Sequence, residues 1–149
     1  MKNLKSFLLI LSFLSVSLIV SAEEAEEGGG KKDRVGPNKA VLAASEKDGL
    51  KLSEKAIKNF SLSFKKINSL GEFTVPTSAL VQFQDFMAVY RLRDGWFRMV
   101  EIEPRVQGAM AVFSTKELIP GDQVVVANGG LIRVVELDIF GPEADACAD

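Results

Sequence analysis

The chain has 149 residues, a formal net charge of −2, one cysteine and no histidine. A mildly acidic chain of this kind argues against a nucleic-acid partner. Without histidine, Ser-His-Asp and Cys-His catalytic arrangements and the usual Cys/His zinc sites are excluded.

The N-terminus reads as an export signal. Lys2 and Lys5 precede a nearly unbroken apolar run from Phe7 to Val20, and Val20-Ser21-Ala22 offers small residues for cleavage. The run is short for a membrane span, which needs about 20 residues. Residues 1–22 are therefore expected to be a cleaved signal peptide and the mature chain to reside in the periplasm. Loss of Lys2 and Lys5 takes the formal charge from −2 to −4. Cys147 has no partner for an intramolecular disulfide, so an exported domain must be held by its core. Its acidic flanks in "ADACAD" do not favour a reactive thiolate.

Residues 23–39, beginning "EEAEEGGGKKDRV", carry little apolar surface and read as a flexible leader. "AVLAASEKDGL" is ambiguous apart from the turn signal Asp48-Gly49. "KLSEKAIKNF" predicts a short helix capped by Ser53, with Ala56, Ile57 and Phe60 on one face. "SLSFKKI" alternates as a half-buried strand does. In "FTVPTSALVQF", Pro76 marks a sheet edge or a break between two short strands.

"MAVYRLRDGWFRMVEIE" is the strongest local signal. Asp94-Gly95 predicts a two-residue hairpin turn. That register sets Leu92 opposite Phe97, Tyr90 opposite Met99, Val89 opposite Val100 and Met87 opposite Ile102. Arg91 then faces Arg98, a like-charge pair that calls for an acidic neighbour. "AMAVFS", "QVVVAN" and "GLIRVVELDIF" read as three further strands, with Asn128-Gly129-Gly130 as a turn. Before them, "ELIPGDQVVV" predicts a type II turn at Pro120-Gly121. The end, residues 142–149, reads as a disordered tail. The β-rich unit is thus expected over residues 40–141.

Few residues suggest chemistry. Met87, Met99 and Met110 could hold a soft ion such as Cu(I), or could be ordinary core. Glu101 and Glu103 share a strand face, where solvated carboxylates are usual. Arg91, Arg93, Trp96 and Arg98 cluster at the hairpin end, a combination that suits partner docking. An enzyme is the least expected class; neither a cofactor nor a metal is expected.

"VPTSALV", "VYRLRDGWFRMVEIE" and "LIPGDQVVVANGGLIR" occur in that order. Together they resemble the C-terminal part of the periplasmic adaptors, or membrane fusion proteins, of resistance-nodulation-division efflux pumps. "GLKLSEKAIKNFSLSF" resembles the early segment of the heavy-metal type. The resemblance covers roughly residues 47–140 and implies a mainly β fold. This would be a small barrel- or sandwich-like membrane-proximal domain with one short N-terminal helix. The lipoyl-like domain and helical hairpin of a full adaptor are missing around Asn68–Gly71. Glu117 stands where the family has glycine. The resemblance implies a non-enzymatic accessory or truncated adaptor that meets an inner-membrane pump or a full-length adaptor, and touches the membrane only through that partner. The rival expectation is a stand-alone periplasmic protein that binds a small ligand or soft metal.

Overall fold

The structure is a computed structural model and describes residues 34–141. The signal peptide, most of the leader and the tail with Cys147 lie outside the described residues.

Two short strands open the fold. β1 (Val41–Ser45) and β2 (Gly49–Leu52) form a hairpin around the Asp48-Gly49 turn signal. Ser53 then caps α1 (Glu54–Asn59): its hydroxyl accepts the Ala56 amide at 3.2 Å, satisfying one free helix-start donor. β3 (Ser63–Lys66) follows with the expected alternation, Phe64 half-buried and Lys65 exposed. Pro76 ends β4 (Glu72–Pro76), and a single 3-10 turn at Thr77–Ala79 leads to β5 (Val81–Phe83). The two strands flanking this break lie in different sheets.

β6 (Phe86–Arg93) and β7 (Trp96–Ile102) pair in the expected register, from Met87 opposite Ile102 to Arg93 opposite Trp96. Asp94 and Gly95 both have positive φ, 51° and 81°, which is the type I′ geometry that matches strand twist. β8 (Arg105–Gln107) and β9 (Met110–Ser114) form a further hairpin. β10 (Gln123–Ala127) follows the Pro120-Gly121 turn.

The larger sheet has seven strands in the order β1-β2-β7-β6-β10-β3, with β5 also paired to β6. The smaller sheet is β4-β9-β8. The fold is mainly β, as expected, and it is the sandwich rather than the closed-barrel form of that expectation.

The segment "GLIRVVELDIF", residues 130–140, read as a strand from its sequence, lies instead in a helix, α2 (Gly129–Phe140). The run "GLIRVVELDIF" has apolar residues on both strand faces, a pattern that a buried helix also gives. Ile132 and Ile139, seven residues apart, are buried on one side of the helix, while Val134 is 63% exposed. Asn128-Gly129-Gly130 is the start of α2 rather than a strand-to-strand turn. Asn128 caps it in the left-handed region and makes no side-chain cap. Its amide group donates instead to the carbonyls of Phe60 and Ser61, at 3.0 and 3.2 Å, just past α1.

Consecutive residues of a strand face opposite ways, and the large sheet uses both faces. Val89, Val100 and Val124 belong to the core shared with the small sheet, alongside Phe73, Phe113 and Leu118. Tyr90, Phe97 and Val125 belong to a second core closed by Ala56 of α1 and by Ile132 and Ile139 of α2. Full burial of each such large apolar side chain contributes about 1.5–3 kcal/mol relative to exposure.

The folded unit also begins earlier than residue 40. Arg34, placed in the leader by composition, forms an ion pair with Asp138 on α2. Val35 bridges to Val41 and packs on the second core. Backbone bonds add to these contacts, the Gly36 amide donating to the Val41 carbonyl at 2.9 Å.

Candidate functional site

The hairpin end of β6 and β7 gathers the four residues expected to dock a partner. Arg91, Arg93, Trp96 and Arg98 project from one face of the ladder, with Arg91 opposite Arg98 and Arg93 opposite Trp96. Their environments differ sharply.

Arg93 is held in place. Its Nε and Nη2 donate to the two carboxylate oxygens of Asp122 at 2.6 and 2.8 Å, a bidentate pair. Nη2 also donates to the Glu117 carbonyl at 3.0 Å. Asp122 is 2% exposed, and its second oxygen accepts the Ile119 amide at 2.9 Å. Burial alone would raise the Asp122 pKa. The bond from Arg93, the Ile119 amide and the nearby guanidinium charges outweigh it, so the carboxyl lies below its usual range. The bond to Asp122 correspondingly raises the Arg93 pKa.

Asp122 is positioned by the turn anticipated at Pro120-Gly121. Gly121 has φ +101°, and the Asp122 amide closes the turn on the Ile119 carbonyl at 3.1 Å. The turn is stitched to the end of β3. The Gly121 amide donates to the Ile67 carbonyl at 3.0 Å, and the Ile67 amide donates to the Asp122 carbonyl at 2.8 Å. Glu117, which replaces a glycine of the resembled pattern, does not have positive φ. The position therefore tolerates a side chain. The Glu117 amide bonds to the Thr115 hydroxyl at 3.2 Å, which holds its carbonyl toward the arginines.

Arg91 is only 9% exposed. Its Nη1 lies 3.5 Å from the Glu117 carbonyl, the far limit of a hydrogen bond, and its buried Nε has no partner. Burial, then the charge of Arg93, lowers its pKa. A guanidinium nonetheless stays charged at neutral pH. Arg98 is exposed, and none of the ion pairs among the described residues involves it. Trp96 is half-buried, with the Lys51 ammonium 5.6 Å from its ring centre.

Sequence reasoning found the four hairpin residues and asked for an acidic neighbour, but did not name Asp122 or Lys51. The signal for Asp122 was its place directly after Pro-Gly. Such a turn carries the next side chain back toward a neighbouring strand.

The three methionines do not converge. Met87 packs on the core under the small sheet, whereas Met99 packs on the core under α2, the other side of the large sheet. Met110 lies in the small sheet opposite Pro76 and Gln107. Glu101 and Glu103 are both exposed, consistent with a solvated strand face. Among the described residues, no three His, Cys, Asp or Glu side chains form a group that could hold a metal. No described helix is long and apolar enough to cross a membrane.

A second polar cluster lies beneath α2. The Tyr90 hydroxyl donates to Glu136 Oε2 at 2.6 Å, and Arg133 Nη1 donates to the same oxygen at 2.8 Å. The Arg133 guanidinium stacks 3.9 Å from the Phe83 ring centre. Burial, then the bond to Glu136, raises the Tyr90 pKa far above its ordinary value. Every polar group in this cluster is partnered, which suits a device that fixes α2 on the sheet.

No protein-family model matches the chain, and no curated protein or solved structure matches it either.

Proposed function

We propose that the chain is a non-enzymatic periplasmic component of a tripartite efflux system, either an accessory protein or a truncated adaptor. In this reading it docks on an inner-membrane pump or on a full-length adaptor and so contributes to export across the membrane, with heavy-metal ions as the cargo. The adaptor-like motifs and their order in the sequence support the assignment to efflux.

The observation that carries docking is the state of the hairpin end. Arg93 and Asp122 fix it, while Arg98 stands exposed and Trp96 half-exposed beside it. Tryptophan and arginine make strong interface anchors, and a rigid backbone support spares the cost of ordering the hairpin on binding. Export rests on the apolar run Phe7–Val20, and the absence of histidine favours a binding role over catalysis.

The test is photo-crosslinking in the native periplasm from position 98 and from position 96, with a second probe at Val134 on the α2 side. A pump or adaptor subunit captured from the hairpin and not from Val134 supports docking. If the protein is folded and abundant yet captures neither kind of subunit from any of the three positions, the proposal fails.

A further inference from the structure

The docking reading leaves the chemistry of the partner open, and the hairpin end limits it. Three guanidinium groups lie together, and among the described residues the one carboxylate bonded to them is Asp122. Both Asp122 oxygens are already engaged, by Arg93 and by the Ile119 amide. Among the described residues no carboxylate bonds the opposed pair Arg91 and Arg98; Asp122 and Glu117 act on Arg91 only through their charge. Directly opposed like charges destabilise a ladder. A buried guanidinium with an unmet donor adds a desolvation cost, and an apolar side chain of similar size is often the more stable choice at such a site. Arg91 is therefore poorly explained as a stabilising residue.

Resting on that docking reading, we propose that the hairpin end is a carboxylate-binding site. It receives an extended acidic segment of the partner protein, one carboxylate of which bridges Arg91 and Arg98. A carboxylate matches the planar fork of a guanidinium and offers enough lone pairs to serve two of them. Arg98 is the exposed point of first contact. Arg91 contributes once the Glu117 carbonyl, held at only 3.5 Å, gives way to the stronger charged acceptor. Trp96 supplies an apolar surface for the stem of the acidic side chain, and Lys51 adds positive charge over the ring. The complementarity of charge selects an acidic peptide over a basic or wholly apolar one.

Trp96 is the single tryptophan of the chain, so its emission reports on this site alone. The mature protein is titrated with a hexaglutamate peptide, with hexalysine and inorganic phosphate as controls. The expected result is a saturable change in Trp96 emission with hexaglutamate alone. Arg98→Gln weakens it by about tenfold or more, the loss of one charged hydrogen-bonded contact. Arg91→Met weakens it similarly while melting at or above the temperature of the parent. No saturable change, equal binding of phosphate, undiminished binding by Arg98→Gln, or a lower melting temperature for Arg91→Met would each overturn the proposal. So would hexaglutamate binding that emerges only when Glu23, Glu24, Glu26 and Glu27 are replaced by glutamine, since the chain's own leader would then be the occupant. Crosslinking to a pump or adaptor without hexaglutamate binding sinks the carboxylate assignment and leaves docking standing. Hexaglutamate binding without such crosslinks does the reverse.

Discussion

Arg93 and Asp122 join the β6–β7 hairpin to the Ile119–Asp122 turn through two parallel hydrogen bonds of 2.6 and 2.8 Å. One pair thereby ties together two segments 29 residues apart in sequence. Asp122→Ala leaves the guanidinium without its carboxylate and the Ile119 amide without its acceptor. The expected loss is about 2–4 kcal/mol, below the full range for a broken buried pair because Arg93 is 33% exposed. Urea denaturation of the mature protein measures it. Because the native pKa of Asp122 is depressed, its stabilising contribution is complete above the unfolded value of about 4. That contribution is lost as pH falls through the lower native value. Asp122→Asn should therefore flatten the acid side of the stability profile.

Tyr90 is the single tyrosine of the chain, so absorbance at alkaline pH follows it alone. Its raised pKa predicts that the phenol does not ionise in the native protein at pH 10–11. The unfolded chain releases the proton near pH 10, so stability declines as pH rises beyond that point. The phenolate signal should appear together with unfolding. A phenolate signal at pH 10 with the far-ultraviolet spectrum still native would contradict the buried bond to Glu136. Tyr90→Phe should cost about 1.5–3 kcal/mol, the usual worth of a hydrogen bond to a charged group.

Two glycines separate steric from conformational need. Gly49 has φ +97°, and a Cβ there would lie 2.0 Å from the Phe97 carbonyl oxygen, where β2 meets β7. Gly121 has φ +101° with open space around it. Gly121→Ala should cost about 1–2 kcal/mol from backbone strain alone. Gly49→Ala should cost clearly more, because backbone must shift as well. Thermal unfolding of the two variants side by side gives the comparison.

Ile132 and Val134 would share a face if the segment after Asn128 were a strand, yet the helix separates them. Ile132 is fully buried and Val134 is 63% exposed. Ile132→Ala should cost about 2–4 kcal/mol. Val134→Lys should change stability by no more than about 0.5 kcal/mol. Similar losses from both substitutions would contradict the helical arrangement.

The sequence by itself determined the features governed by neighbours along the chain. Asp94-Gly95 set the register from Met87 to Ile102, since the turn type fixes which residues face each other. Ser53 marked the start of α1, because its hydroxyl reaches an amide only three residues away. Pro120-Gly121 defined a turn through two φ preferences, and Pro76 divided two strands by lacking an amide. The β-rich runs from Phe73 onward likewise implied a mainly β fold.

Only the tertiary structure decided what distant partners decide. The run from Gly129 to Phe140 is apolar enough for either a strand or a helix, and the Asn128 side chain, read as part of a turn, bonds to the carbonyls after α1. As a helix it buries Ile132 and Ile139 together over the face presenting Tyr90, Phe97 and Val125. Local pattern likewise placed the arginines at the hairpin end but could not distinguish them. Burial and the reach of Asp122 did so, anchoring Arg93, enclosing Arg91 with an unmet donor and leaving Arg98 at the surface. Pairwise electrostatics depends on distance in space, and sequence separation carries little of that information.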